Sequence, residues 1–149
     1  GHPAPQTLKA TVCVDAGVLG EVEISYAGPN ADGRARLAAE VIRDRLARRV
    51  PEFKFRVDAV GVASILADDE GALRGHWGHA DDVRLRFAAR GAKPDDVRIL
   101  LDEVEALYCA GPAGGAGVRR HVTPRLASAS CLIERRFAQP SVSMIEAPE

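Results

Sequence analysis

Apolar and polar residues alternate in two runs near the start of the chain, which is the pattern of half-buried strands. The apolar positions of the two runs are Leu8, Ala10, Val12 and Val14, then Val22, Ile24 and Tyr26. Asp15, Ala16 and Gly17 separate the runs and have the composition of a turn. The pattern therefore predicts a β-hairpin at the start of the fold.

The spacing then changes to that of an amphipathic helix. Its apolar positions are Ala35, Ala38, Val41, Ile42 and Leu46, with arginines on the other side. Asn30 or Asp32 can cap the start of this helix. Its end is expected before Pro51, because the residue preceding a proline disfavours helical backbone.

Two alternating runs predict the next strands. Their apolar positions are Phe53, Phe55, Val57 and Ala59 in one, and Val83, Leu85, Phe87 and Ala89 in the other. The first strand has enough apolar residues beyond it to run on through Leu66. Between the two, residues from Ala67 to Asp82 are rich in acids and glycines and predict the longest loop.

A second helix opens at Pro94, where Asp95 and Asp96 lie near the positive end of the helix dipole. Its apolar stripe comprises Val97, Leu100, Leu101, Val104, Leu107 and Tyr108. A glycine-rich connection follows. Residues from Leu126 to Phe137 then predict a strand, and residues from Ser141 to Ala147 predict a return strand beside it.

This order of elements predicts an α+β fold, a ferredoxin-like sandwich of two helices on an antiparallel or mixed sheet, with extra hairpin strands at both ends. The phase of alternation assigns one set of residues to the helix-covered face: Val22, Ile24, Tyr26, Phe53, Phe55, Val57, Val83, Leu85 and Phe87. The opposite face receives Glu21, Glu23, Lys54, Arg56, Asp58, Arg84 and Arg86. Opposite charges on neighbouring strands predict cross-strand ion pairs.

Charge and aromatic placement argue against binding to nucleic acid or membranes. The chain has 20 basic and 21 acidic residues and a net charge of −1, so no global field attracts polyanions. The strand aromatics share the phase of the aliphatic residues, whereas sheet-based RNA readers place aromatics on the open face. No apolar run is long enough to span a membrane.

The 149 residues fit one domain with a sizeable core. Three widely spaced cysteines, Cys13, Cys109 and Cys131, indicate neither a disulfide framework nor a zinc site, so a reducing, cytoplasmic setting is expected. The opening Gly1-His2 resembles the remnant of a cleaved tag. We therefore expect residues 1–7 to be tag and linker, and residues 8–147 to form one domain of a longer parent protein.

The segment from Gly111 to His121 is the least generic part of the sequence. Gly111, Gly114, Gly115 and Gly117 lie within seven positions and are followed by three basic or titratable residues, namely Arg119, Arg120 and His121. Backbone amides in such a loop can form an anion-binding nest, with these side chains supplying charge. The alternative is a long connection whose glycines satisfy tight turns. The loop follows the negative end of a helix and matches no nucleotide-binding pattern, so both interpretations remain open.

Two weaker constellations remain. His76 and His79, with Asp81 and Asp82 nearby, have metal-binding chemistry but lie in a polar loop, so a solvated loop is favoured and no metal or cofactor is assigned. Cys109 and His121 have the residue types of a nucleophile and a base. Because nothing in the sequence brings them together, a buried structural cysteine is favoured at position 109.

Several segments together resemble the acyclic terpene utilisation family of AtuA-type proteins, a domain of unknown function. The segments are residues 23–29, 35–40, 105–108, 111–115 and 117–119. The resemblance runs from about Leu8 to Glu146 and corresponds to the C-terminal portion of that family. It implies a missing N-terminal domain as a partner and a link to bacterial breakdown of acyclic terpenoids, in which intermediates are acyl-CoA thioesters.

Two functions follow from these expectations. In the first, the domain contributes the Gly111–His121 loop to a site for an acyl-CoA or related carboxylate. In the second, it is an assembly or interaction domain without chemistry of its own, because edge strands at both ends of the sheet favour pairing with another chain, including a second copy. The resemblance supplies no catalytic residues, so none is assigned.

Overall fold

The computed structural model describes residues 1–65, 67, 71 and 77–145. Within these residues, four strands form one sheet in the order β2-β3-β1-β4, and two helices accompany them. The elements are β1 (Thr7–Ala27), α1 (Ala31–Arg49), β2 (Phe55–Val60), β3 (Asp82–Gly91), α2 (Pro94–Ala110) and β4 (Ala116–Glu134), followed by a 3-10 turn (Arg135–Phe137). The predicted α+β class, with two helices and an antiparallel sheet, is confirmed.

The predicted hairpin at the start of the chain is wrong, because β1 is a single strand of 21 residues. Gly17 has a φ of 76° inside this strand, and a Cβ there would collide with the carbonyl oxygen of Gly91. The turn-like residues are therefore an irregularity, of the kind seen at β-bulges, rather than a reversal. The second half of β1 pairs with β3, from Val18 opposite Gly91 to Ala27 opposite Asp82.

The helix-covered face of the sheet carries the core that alternation predicted. Its fully buried members include Val22, Ile24, Tyr26, Val57, Val83, Leu85 and Phe87. Phe53 and Phe55 are only half-buried, because β2 begins at Phe55 and both residues therefore lie at the end of the sheet. Burial of each large apolar side chain contributes roughly 1.5–3 kcal/mol.

Helix α1 packs on the sheet through small residues. Its buried positions are Ala31, Ala35, Ala38, Ala39, Ile42 and Leu46. Alanines let a helix approach its neighbours closely. Asn30 occupies the N-cap position with a φ of 55°, but its side chain makes no capping bond.

Helix α2 buries Val97, Leu100, Leu101, Val104 and Leu107. Asp96 caps this helix, because its Oδ2 accepts the backbone N–H groups of Ala92 and Lys93 at 2.9 and 3.0 Å. Tyr108 was predicted in the apolar stripe, yet it is 62% exposed. The buried stripe ends at Leu107, and the next residue points away from the sheet.

The charged face of the sheet forms the predicted cross-strand ion pairs. Arg86 bridges Glu21 of β1 and Asp58 of β2, the latter at 2.8 Å. Arg56 also binds Asp58 at 2.8 Å, and that carboxylate is buried. The pairs join three adjacent strands on a face without helices.

A second buried acid connects the helices. Glu103 of α2 is 4% exposed and binds Arg45 and Arg49 of α1. The hydrogen bond from Arg45 has the largest effect on the Glu103 carboxyl, and together with that from Arg49 it holds the pKa of this group below its usual range. Arg45 and Arg49 are more than half exposed, so only one member of this cluster loses its hydration.

Three predicted strand bounds differ from the structure. β2 ends at Val60 instead of running on to Leu66, which lies outside the described residues. The strand predicted from Leu126 begins ten residues earlier, since β4 starts at Ala116 alongside β1. Residues 141–145 form no strand, and residues 146–147 are outside the described part of the chain.

The chain divides into two compact units. One is Ala16–Arg125, which holds both helices and most of the sheet. The other combines Gly1–Asp15 with Leu126–Glu149 and contains the first half of β1 and the second half of β4 as a two-stranded ribbon. In the part of the chain that the structure describes, no helix is long and apolar enough to cross a membrane.

Candidate functional site

Three connections meet at one end of the sheet within the Ala16–Arg125 unit. They are the β1–α1 turn at residues 28–30, the residues just before β3, and the α2–β4 loop at residues 111–115. The backbone N–H of Gly28 donates to the carbonyl of Asp81 at 2.8 Å, which ties the first two together. We call this end of the sheet the Arg34 edge.

Arg34, in the first turn of α1, connects the turn and the loop. Its Nη1 donates to the Ala113 carbonyl at 2.8 Å, its Nη2 to the carbonyls of Ala27 and Pro29 at 2.6 and 3.1 Å, and its Nε to that of Asn30 at 3.3 Å. All four acceptors are neutral. Among the described residues no carboxylate pairs with Arg34, so its positive charge is not neutralised.

Tyr26 lies beneath Arg34, with the guanidinium carbon 5.9 Å from the centre of its ring. The side chain is fully buried, and its hydroxyl has no hydrogen-bond partner among the described residues. Burial raises the pKa of the Tyr26 phenol, and the charge of Arg34 offsets part of that increase. A buried polar group without a partner is uncommon and points either to strain or to a missing ligand or water.

The glycines of the loop make this arrangement possible. A Cβ on Gly115 would lie 2.9 Å from the Ile24 side chain and 3.2 Å from the Tyr26 hydroxyl oxygen. Gly114 has a φ of 80°, and a Cβ there would lie 2.5 Å from Nη1 of Arg34. Gly111 rests on the last turn of α2, where its N–H donates to the Leu107 carbonyl at 2.9 Å. The loop therefore packs closely on its own protein and reaches both Arg34 and Tyr26.

The other predicted site residues lie in the strand that follows this loop. Gly117, Arg119, Arg120 and His121 lie within β4 rather than in a loop that ends at His121. Arg120 is already held by Asp102 and Glu105 of α2. Strand alternation places Arg119 and His121 on the opposite face, where both are exposed. That Arg119, Arg120 or His121 supplies charge to an anion at the glycine loop stays a prediction.

His79 belongs to the same edge. Its Nδ1 is 3.3 Å from Oδ2 of Asp32, and its Nε2 is 3.7 Å from Oδ1 of Asp81. The hydrogen bond from His79 is the main reason that the pKa of the Asp32 carboxyl lies below its usual range. His76 lies outside the described residues. Across the described part of the chain, no group of three or more His, Cys, Asp or Glu side chains is arranged to hold a metal ion.

Cys109 and His121 were considered as a nucleophile and a base, but the sequence favoured a buried structural cysteine at position 109. Cys109 is an exposed free thiol near the end of α2, so the expectation of a buried structural cysteine is wrong. The apolar stripe of α2 ends before it, which leaves the thiol on the solvent side. Cys13 and Cys131 are also exposed and free.

Sequence reasoning missed Arg34 and the Tyr26 hydroxyl as site residues. Tyr26 was assigned to the core because its phase matches Ile24, and that assignment holds for its ring. Arg34 was one of several arginines on the polar side of α1. One feature of the sequence could have pointed to Arg34: it lies after Gly33, between residues 23–29 and 35–40, two of the segments that resemble the family.

The fold and the edge together define an α+β domain with a glycine-lined end that carries Arg34. The family model described as acyclic terpene utilisation family protein AtuA matches residues 1–144, and the chain therefore belongs to that family. This confirms the resemblance found in the sequence.

Other comparisons add little about function. No curated protein matches the chain. Among solved structures, the de novo designed protein Foldit4 is similar, with a TM-score of 0.49 and 11% identity over 72% of this chain and 97% of that chain. The de novo designed protein Ferredog-Diesel has a TM-score of 0.41 and 17% identity over 70% of this chain and 85% of that chain.

Proposed function

We propose that this domain serves acyclic terpene utilisation by holding the anionic group of an acyl ligand at the Arg34 edge. The ligand is a carboxylate or an acyl-CoA, and the loop of residues 111–115 supplies part of its site. The observation that carries the proposal is the guanidinium of Arg34, which, within the described part of the chain, is bound only by neutral carbonyls beside the exposed Gly114. The strand order also supports placing the fold in the ferredoxin-like class.

Arg34 retains the capacity to bind an anion. A guanidinium has five N–H donors, and the four hydrogen bonds of Arg34 leave one donor on Nη1. That nitrogen is the one next to Gly114, where no side chain intervenes. The first turn of α1 also lies at this edge, and its amides carry positive partial charge. These groups favour a bound carboxylate or phosphate oxygen.

Isothermal titration with a medium-chain acyl-CoA and the corresponding carboxylate tests this site. Arg34→Gln removes the charge, whereas Arg34→Lys retains it. Arg36→Gln is the matched control, because Arg36 lies two residues further along α1 and forms an exposed pair with Glu40. A charge-assisted hydrogen bond contributes roughly 1.5–3 kcal/mol, so Arg34→Gln should weaken binding about 10- to 150-fold. Circular dichroism confirms that each variant is folded.

Two outcomes would reject the proposal. One is that the wild-type affinity survives in folded Arg34→Gln. The other is that Arg36→Gln loses as much affinity as Arg34→Gln, since that would indicate a general charge effect rather than a site. Arg34→Lys is expected to fall between the wild type and Arg34→Gln.

An assembly role is the second candidate, and the ribbon unit favours it. The Arg135 N–H donates to the Gln6 carbonyl at 2.9 Å, which places these residues opposite each other. Alternation from that pair assigns one ribbon face to apolar side chains throughout: Leu8, Ala10, Val12, Val14, Ala127, Ala129, Cys131 and Ile133. Two-stranded ribbons are marginally stable alone in water, so such a face favours a covering partner.

Sedimentation velocity over a range of concentrations tests the assembly role. Val12 is 48% exposed on the apolar ribbon face, so Val12→Lys should abolish self-association. Thr11→Lys adds the same charge to the other face of the same strand and should leave association intact. A wild-type chain that stays monomeric at all concentrations would remove the support for assembly between copies.

A further inference from the structure

A pair of cations lies on the charged face of the sheet, at the end away from the Arg34 edge. Leu19 of β1 pairs with Arg90 of β3 at this end. The β2–β3 register, continued by one residue beyond Phe55, sets Lys54 opposite Arg90 on the other side of β3. Leu19, Arg90 and Lys54 therefore form one row across three strands. Alternation assigns this row to the charged face, away from both helices.

Ala88 belongs to the next row of the same face and leaves space beside the two cations. It pairs with Glu21 on one side and with Arg56 on the other. Both of those long side chains bind partners one row nearer the middle of the sheet: Glu21 binds Arg86, and Arg56 binds Asp58. Ala88 contributes only a methyl group, so the surface between this network and the end row stays open.

The two cations of the end row take no part in the ion pairs of the charged face. Lys54 and Arg90 are exposed, and neither binds a carboxylate in the part of the chain that the structure describes. Glu52, in the turn before β2, is exposed and pairs with neither of them. Arg125 of β4 lies near this end, where its Nη1 donates to the neutral carbonyl of Ala16 at 3.3 Å. The end row therefore carries positive charge that the described residues do not neutralise.

Such an arrangement is unfavourable unless something else binds there. Side chains opposite each other on neighbouring strands have Cβ atoms roughly 4.5–5.5 Å apart, and like charges in that position repel. Other arginines of this face are placed beside acids, as Arg84 is beside Glu23 and Arg86 beside Glu21. An anion between Lys54 and Arg90 would replace their repulsion with two attractive contacts. The pair therefore has the chemistry of an anion site.

We propose that Lys54 and Arg90 bind the phosphate of a small phosphorylated ligand, which lies over Ala88 on the charged face. Ammonium and guanidinium groups bind phosphate oxygens through charge-assisted hydrogen bonds, and a phosphate carries enough charge to match two cations. Asp58 and Glu21 border the site toward the middle of the sheet, so the site selects a compact anion over a long polyanion. It is separate from the Arg34 edge and does not depend on it.

Isothermal titration of the whole chain with inorganic phosphate and with pyrophosphate, at constant ionic strength, tests this site. The double variant Lys54→Gln, Arg90→Gln should weaken binding by at least about tenfold, because it removes two charge-assisted hydrogen bonds. Ala88→Glu keeps both cations but adds a carboxylate beside them, and it should weaken binding as well. The control is Arg36→Gln, Arg98→Gln, which removes two charges from exposed helix positions and should bind normally.

Urea unfolding without added anions separates a binding role from a structural one. The variant Lys54→Gln, Arg90→Gln should be at least as stable as the wild type, since it removes two like charges that face each other. A clear loss of stability in that variant would overturn the proposal, because the two cations would then support the fold itself.

The relative affinities of the two probes show whether the site holds one phosphate group or two, and saturable binding of either supports the proposal. Three results would overturn it: no saturable binding of either probe, equal loss in the two double variants, or loss of binding in folded Arg34→Gln. Displacement of pyrophosphate by a single-stranded oligonucleotide of higher affinity would also overturn it, since the row would then be part of a nucleic-acid surface.

Discussion

The Tyr26 hydroxyl, for which the described residues offer no hydrogen-bond partner, gives a prediction in which stability and binding change in opposite directions. Tyr26→Phe removes only the oxygen and keeps the buried ring. An unsatisfied buried polar group costs roughly 1–3 kcal/mol, so the variant should be more stable than the wild type by about 1 kcal/mol once small packing losses are included. For a chain of this size, a gain of that kind corresponds to a rise in Tm of roughly 2–4 °C.

The assay is urea unfolding of the two proteins without ligand, followed by titration with a medium-chain acyl-CoA. If a ligand oxygen accepts the Tyr26 hydroxyl, the Phe variant should bind more weakly, by roughly 2- to 10-fold for a neutral hydrogen bond. Destabilisation by Tyr26→Phe would refute the reasoning, because it would mean that the hydroxyl already has a partner in the free protein. If the Phe variant is more stable but binds with unchanged affinity, the Tyr26 hydroxyl only destabilises the fold and takes no part in binding.

Two other predictions concern the fold. Glu103→Gln should destabilise the chain by roughly 1.5–3 kcal/mol in urea unfolding, because it weakens the two charge-assisted hydrogen bonds that this buried acid accepts. The control is Glu40→Gln, which alters an exposed ion pair and should cost less than about 1 kcal/mol. The folded-state pKa of Glu103 is lowered, so its contribution to the free energy of unfolding should be complete above the ordinary Glu pKa of about 4.3. That contribution should be lost as the pH falls through the folded-state pKa. Glu103→Gln should therefore make the stability less dependent on pH in this range. Gly17→Ala should destabilise the chain by about 2 kcal/mol or more, because Gly17 has a positive φ and the new Cβ would meet the Gly91 carbonyl. Gly28 has a similar φ but open space around it, so Gly28→Ala should cost about 1 kcal/mol. Equal costs for the two variants would contradict the steric explanation.

Alternation and helical spacing were sufficient to predict the layers of this fold. Alternation along β3 placed Leu85 and Phe87 on the buried face of the sheet and Arg84 and Arg86 on the charged face, as the structure has them. The same local patterns failed where a partner strand decides the outcome. Gly17 looks like a turn residue, yet β3 and β4 flank β1 and keep the chain extended through it.

The candidate site was only partly predictable for a related reason. The sequence indicated that Gly114 and Gly115 approach another group, and the structure places Arg34 and Tyr26 beside them. It could not indicate which cation that would be. Four carbonyls from two distant segments converge on Arg34, and such convergence leaves no local pattern in the chain.

The most direct test of the central claim is a two-dimensional NMR titration that follows the backbone amides of Gly114 and Gly115. Addition of a medium-chain acyl-CoA should shift both resonances together with those of the first turn of α1, in a saturable manner, and Arg34→Gln should abolish the shifts. Shifts confined to other parts of the chain, with Gly114 and Gly115 unchanged at saturation, would contradict an anion site at the Arg34 edge.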